Sequence, residues 1–358
     1  LLQARNIRGL DTLLLITEEG DRRLGIPPVD PLDAEAVRQQ ILDLAHQHQT
    51  QLDQSLESLL IIGGSDVVPL AACRLPLAEQ ADTVHCDDAY GLVEADQLLT
   101  SWPVARLPGA THDPGLLTSL LGMAAHYQRH PPPLPSRSFG YTAAAWQTTA
   151  ATVYQVLPGR MPLQVAPPTS ASTLNAALLN GVDRVYINLH GFPEGPFWYG
   201  QAAHDTPRAV ALRPADLDTV RFNGATILSE ACFGANLLTY EPERGFPLRF
   251  LQRGAACFAG FTATAYGPVT LPLADADLLA AHFLRASLIP GISAGGAYQL
   301  SRQMMLREVV QQQGFVDEDT LSTLSQFVLY GDPTIIIGGP AATLNITYVY
   351  DSWIALQN

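Results

Sequence analysis

Val185-Tyr186-Ile187-Asn188-Leu189-His190-Gly191 and Ala225-Thr226-Ile227-Leu228-Ser229-Glu230-Ala231-Cys232-Phe233-Gly234 repeat one pattern: an apolar run that stops at a reactive side chain and a glycine. Short aliphatic and β-branched runs bounded by glycine read as buried strands of a parallel sheet. In open parallel sheets a ligand site lies beyond the carboxyl ends of the strands. A His and a Cys at two such ends can face one cleft, the arrangement that a thiol nucleophile and its acid/base partner need.

The chain around this stretch is long enough, at 358 residues, for two domains or one large one. A hydrophobic content of 47% with 15% charged residues describes a well-buried globular protein. The longest apolar runs fall well short of the roughly 20 residues that cross a bilayer. A net charge of -14, with no compensating basic run, argues against a nucleic-acid partner. All 20 basic residues are arginine, as expected from a G+C-rich genome. Four cysteines, Cys73, Cys86, Cys232 and Cys257, are too few for a disulfide scaffold, and no C-x-x-C pair suggests structural zinc. Cys73 and Cys86 can pair or stay free, and Cys257 reads as a small core residue. A start at Leu1 without a signal peptide reads as a processed fragment, and it leaves a bacterial protein open between secreted and cytoplasmic locations.

Along the chain, 11–17 reads as a first strand, and the region from Asp33 to Leu60 as a helix running into the strand Leu59–Ile62. Trp102 to Pro108 reads as a strand with a proline stop, and Asp113 to Tyr127 as a helix capped by Thr111 or Asp113. Pro131 to Pro135 is the best boundary, because proline joins neither a helix nor a central strand. It divides an N-terminal α/β subdomain, 1–134, from a catalytic subdomain, 136–340. Beyond the boundary, strands are expected at Ser138–Ala145, Val185–Leu189, Ala225–Ala231, Ala255–Phe261 and Ile335–Ile337. Helices are expected at Gln147–Leu157, Ser170–Asn180, Phe246–Gln252, Asp275–Ala286 and Ala294–Gln313. Phe192 to Gly200 is an aromatic-rich loop, and 341–358 is a terminal strand or the start of a further domain. Alternating strands and helices indicate an α/β fold with a mostly parallel sheet flanked by helices.

His first and Cys about 40 residues later is the caspase order and close to its spacing, with Glu230-Ala231-Cys232-Phe233-Gly234 standing where that class has Q-A-C-x-G. The chain resembles the caspase-like cysteine peptidases, and among them the gingipain family. Besides the His-Gly and Ala-Cys pairs, the resemblance is carried by five blocks in order: Leu59 to Pro69, Asp87 to Gly91, Val104 to Pro108, Phe250 to Ala256, and Leu329 to Thr334. It implies a caspase-like (caspase-hemoglobinase) fold and a hydrolase that acts as a thiol protease. The acid that serves the basic-residue pocket of the arginine-specific members is not evident between Phe139 and Val165.

The expected chemistry follows. Cys232 attacks a peptide carbonyl as thiolate, and His190 is the general acid/base. The N–H groups of Gly191 and Cys232 form the oxyanion hole, where glycine allows close approach of substrate. Glu230 and Asn188 each stand two residues before a dyad member, so each pair shares a face of its strand. In caspase-like enzymes these positions flank the primary specificity pocket. Glu230 is therefore expected to select Arg or Lys before the scissile bond, with Asn the lesser option. The competing reading makes Glu230 the internal partner of an arginine. Tyr266 resembles the aromatic wall of that pocket, and Trp198 with Tyr199 is expected to cover it. No metal or cofactor is expected in catalysis. Asp87-Asp88 and Asp317-Glu318-Asp319 are the acidic segments that structural calcium would use, although neither has the D-x-D-x-D-G loop. The partner is a protein or peptide substrate. The alternatives are a catalytically inactive caspase-like scaffold and an amidase or acyl transferase with the same dyad.

Overall fold

The structure, a computed structural model, describes residues 1–74, 83–94, 97–109, 113–202, 209–238 and 245–340. Its strands are β1 (Leu59–Ile62), β2 (Ala71–Arg74), β3 (Thr83–Cys86), β4 (Val104–Leu107), β5 (Ser138–Ala143), β6 (Gln164–Ala166) and β7 (Arg184–Asn188). They continue with β8 (His190–Phe192), β9 (Gly195–Tyr199), β10 (Val210–Leu212), β11 (Ala225–Ser229), β12 (Ala255–Phe261) and β13 (Phe327–Gly331). Eight of them form one sheet in the order β1-β4-β13-β12-β11-β7-β5-β6. Every pairing in it is parallel except β12 with β13. The sheet is thus two parallel blocks of opposite direction, three strands and five, joined at one antiparallel seam. Strands from both sides of the proline run are hydrogen-bonded into it.

The helices are α1 (Leu2–Ile7), α2 (Ala34–Leu52), α3 (Pro114–Arg129), α4 (Gln147–Tyr154), α5 (Phe246–Gln252), α6 (Asp275–Ala286), α7 (Ala294–Gln313) and α8 (Glu318–Gln326). Their starts follow capping chemistry. Asp33, Asp113, Ser293 and Asp317 each accept a backbone N–H from the first turn, and Pro114 follows the Asp113 cap. Strands β7, β11 and β12 are buried along their whole length, which is why they read as unbroken apolar runs. One large core runs through the sheet and its helices, while Val37, Ile41, Ile61, Tyr90, Trp102 and Val104 form a smaller core of their own beneath α2.

Three expected elements differ. Residues 11–17 form no strand; Leu14 and Ile16 are exposed, and an apolar run without alternation does not fix a strand. Ser170–Asn180 shrinks to a 3₁₀ turn at Ala176–Leu179, because hydroxyls there bond nearby groups, as in Ser170 N–H to Thr173 Oγ1 at 2.9 Å. The closing strand is β13, before the Gly331-Asp332-Pro333 turn, and Ile336 makes an isolated bridge to Ser293. Residues 341–358 and Thr111 lie outside the described residues. Cys86 is disulfide-bonded, whereas the side chain of Cys73 is outside the described ones. Among the described residues no helix is long and apolar enough to cross a membrane.

Candidate active site

Strands β7 and β11 are neighbours, with Ile187 opposite Ser229. The Glu230 N–H continues the ladder to the Ile187 carbonyl at 2.8 Å. Carrying that register three steps beyond Ile187 and Ser229 sets His190 across from Cys232. The backbones do meet there: a Cβ added to Gly191 would stand 1.9 Å from the Cys232 carbonyl oxygen, so only glycine fits. After Cys232 the chain turns through Phe233, a non-glycine residue at φ 55, and the Gly234 N–H bonds the Ala231 carbonyl at 2.9 Å. Such backbone strain concentrates at functional sites. The Cys232 thiol is half-buried and donates to the Ala265 carbonyl at 3.5 Å.

His190 begins β8, the first strand of a three-stranded meander that replaces the expected aromatic loop. Its Nε2 lies 2.5 Å from Gln201 Oε1. An amide oxygen only accepts, so Nε2 carries the hydrogen and the basic lone pair is on Nδ1. Gln201 is pinned by its own backbone, N–H to Ala166 and carbonyl to the Ala145 N–H. Trp146 covers the imidazole at 4.3 Å between ring centroids. Neither Gln201 nor Trp146 is marked by any motif; they reach His190 through the pairing of β5, β6 and the meander.

Glu230 and Asn188 lie side by side and buried, as expected from their strand positions. The surprise is Asp277, in the first turn of α6 and 1% exposed. The Asn188 amide lies 3.4 Å from each of Glu230 Oε2, Asp277 Oδ1 and the Tyr186 hydroxyl. Burial, then the Asp277 charge, pushes Glu230 well above the usual carboxylate range; burial raises Asp277 to about 7. Among the described residues neither carboxylate pairs with an arginine, so the internal salt bridge expected as the competing role of Glu230 is absent.

Trp198 does not touch the site. It is 2% exposed in β9 and stacks on Phe246 at 3.6 Å between centroids, so it is core, and the alternation of β9 turns Phe197 outward instead. Aromatic content alone did not reveal which residues of the segment face inward. Tyr266 is 54% exposed in the loop after β12, and its carbonyl accepts the Ala276 N–H at the start of α6. Cys257 is fully buried and its thiol is pushed up to about 11, as suits inert packing. Three of the acids considered for calcium have other partners: Asp87 accepts from Arg106, Asp88 from Arg302 and Tyr298, and Asp317 caps α8.

No family model matches the chain, and no curated protein does. Solved structures do. The Arg-specific cysteine proteinase gingipain R superposes with a TM-score of 0.66 at 14% identity, over 93% of this chain and 73% of that one. The complex of Porphyromonas gingivalis RgpB pro- and mature domains gives 0.67 at 12% identity, over 94% and 75%. The fold is that of gingipain. The mostly parallel sheet, its helices and its caspase-like architecture are thereby shown. Within the gingipain fold, β7 and β11 bring His190 and Cys232 together.

Proposed function

We propose that the chain is a cysteine endopeptidase that uses Cys232 as nucleophile and His190 as general acid/base, cleaving after a basic residue. The observation that carries this reading is the meeting of His190-Gly191 and Cys232 at the ends of adjacent parallel strands, on a gingipain fold. Cys232 adds through sulfur to the peptide carbonyl carbon. His190 delivers the thiol proton to the departing amine as the C–N bond breaks. Water, deprotonated by His190, then cleaves the thioester and restores the thiol. The Phe233 N–H is taken by the Ala263 carbonyl at 2.9 Å, which favours Gly191 and Cys232 as the oxyanion donors. Every step runs on side chains and water, with no cofactor or metal. The similar gingipain R is Arg-specific, and buried Glu230 supports the same class of substrate here.

The test is a set of fluorogenic peptides varied only before the scissile bond, given to the protein and to Cys232→Ala. Turnover of Arg or Lys peptides that falls by at least about 10³-fold in the variant is expected. Absence of both turnover and covalent labelling by a peptidyl chloromethyl ketone would identify a scaffold and overturn the reading.

A further inference from the structure

Glu230 is 6% exposed and its Oε1 has no hydrogen-bond partner. Its Oε2 and Asp277 Oδ1 share the one Asn188 amide nitrogen at 3.4 Å, and the two carboxyl groups lie within hydrogen-bond reach of each other. Side by side in a low dielectric, two carboxylates are stable only if they share a hydrogen or face a cation. Among the described residues, the groups in contact with the pair are neutral or acidic. β7 contributes the Tyr186 hydroxyl and Asn188, and the loop after β12 contributes Gly267, where an added Cβ would be 2.5 Å from Asp277 Oδ2. α6 adds Asp275, raised to about 6 by burial and then by Asp319 and Asp317 at the start of α8.

We propose that Glu230 and Asp277 together form the floor of the pocket for the residue before the scissile bond, and that an entering guanidinium displaces the proton they share. This inference rests on the endopeptidase reading for its location two residues from Cys232, and it adds a second acid and a proton to that pocket. The exchange balances. A pair holding one hydrogen and one negative charge takes up a guanidinium cation, becomes a doubly ionised pair around it, and releases one H⁺ to solvent. A neutral carboxamide such as asparagine's needs no such release, because the protonated pair offers it both a donor and an acceptor. Preference between Arg and Asn, which the sequence alone leaves open, thus becomes a function of pH. Lower pH favours the carboxamide and higher pH the guanidinium, changing their relative binding by up to about tenfold per pH unit while one proton is exchanged.

The experiment uses the Cys232→Ala protein, which removes the dyad's own titration. Two tripeptide amides of identical sequence except for a terminal arginine or asparagine are bound by titration calorimetry at pH 5 to 8, in buffers of different ionisation heat. Expected are release of close to one proton with the arginine peptide near pH 6, none with the asparagine peptide, and an affinity ratio that rises with pH. In Asp277→Asn the proton release should vanish; the one-proton release from the unaltered pocket is read without relying on that variant folding. Arginine-peptide binding that releases no proton and does not vary with pH overturns the shared-proton pocket. Loss of arginine binding at every pH, while the Cys-intact protein still cleaves or is alkylated, places the pocket elsewhere and leaves the peptidase reading standing. Failure of binding, cleavage and alkylation together rejects both.

Discussion

Around the three-strand block, Asp87 accepts two hydrogen bonds from Arg106, at 2.6 and 2.9 Å, and Asp332 is met by Arg5 at 2.6 Å and by Gln128. Asp88 there has Arg302 and the Tyr298 hydroxyl. At the carboxyl ends of the five-strand block, Glu230 and Asp277 are as deeply buried, yet their neighbours are each other, an amide and a phenol. The chain has twenty arginines and uses them where a buried acid only has to be held. The pair beside Cys232 is raised in pKa with no arginine to oppose burial; in the three-strand block burial raises Asp88 as well, against the pull of Arg302, while Asp332 is held below its ordinary value by Arg5 despite burial. Perturbation of that kind, next to a nucleophile, is the physical mark of a site rather than of a scaffold.

Arg106 should give the largest effect of any single change. Its guanidinium is 2% exposed and also donates to the carbonyls of Gly63, Gly64 and Val68. Arg106→Ala leaves Asp87 buried without a counter-charge and removes one donor from each of three carbonyls. Loss on the order of 3–5 kcal/mol is expected, read as a lower midpoint in urea unfolding. A variant as stable as the parent would mean that these buried pairs are not what holds β1 and β4 to the sheet.

The converse change should stabilise. Glu230→Gln replaces a strained acid by an amide that donates to Asp277 without needing a proton. The folded-state pKa values are raised above the unfolded ones, so the folded protein binds more protons and the cost is absent below about pH 4. It grows as pH rises toward and past about 7, where Asp277 ionises. The variant should therefore be more stable than the parent at pH 8, by on the order of 2 kcal/mol, and the gap should narrow below pH 7 and close near pH 4. A melting difference that is independent of pH would show that the pair carries no shared proton.

Much of the five-strand block is legible in sequence because its strands are buried on both faces, and the two decisive ones end in glycine motifs. Helices α3, α6 and α7 are legible through caps and spacing. What escapes is whatever long-range pairing brings in. Asp277 stands in the first turn of an ordinary amphipathic helix, 45 residues after Cys232, and nothing local distinguishes it from a residue that favours the helix dipole. Trp198 misleads for the opposite reason, because its segment looks like a rim and is a strand whose alternation turns it inward. The 170–180 segment has helix-forming alanines and leucines, but its hydroxyls compete for the backbone.

Gln201 yields the smallest effect and the finest distinction. It meets His190 with a neutral amide, whereas an ionised partner would favour the imidazolium. If it acts by holding the ring and its tautomer, Gln201→Ala should lower kcat about tenfold with KM little changed, because ground-state binding does not depend on which nitrogen bears the hydrogen. Gln201→Glu should keep the ring oriented but move the acidic limb of the pH–rate profile to higher pH, since the added carboxylate stabilises the charged ring. A merely structural Gln201 would lower stability and leave the profile where it was. The two pH profiles then separate the two acid systems of the site. The Gln201 variants shift the limb for every substrate alike, whereas the Glu230–Asp277 pair shifts it only for substrates that carry a cation into the pocket.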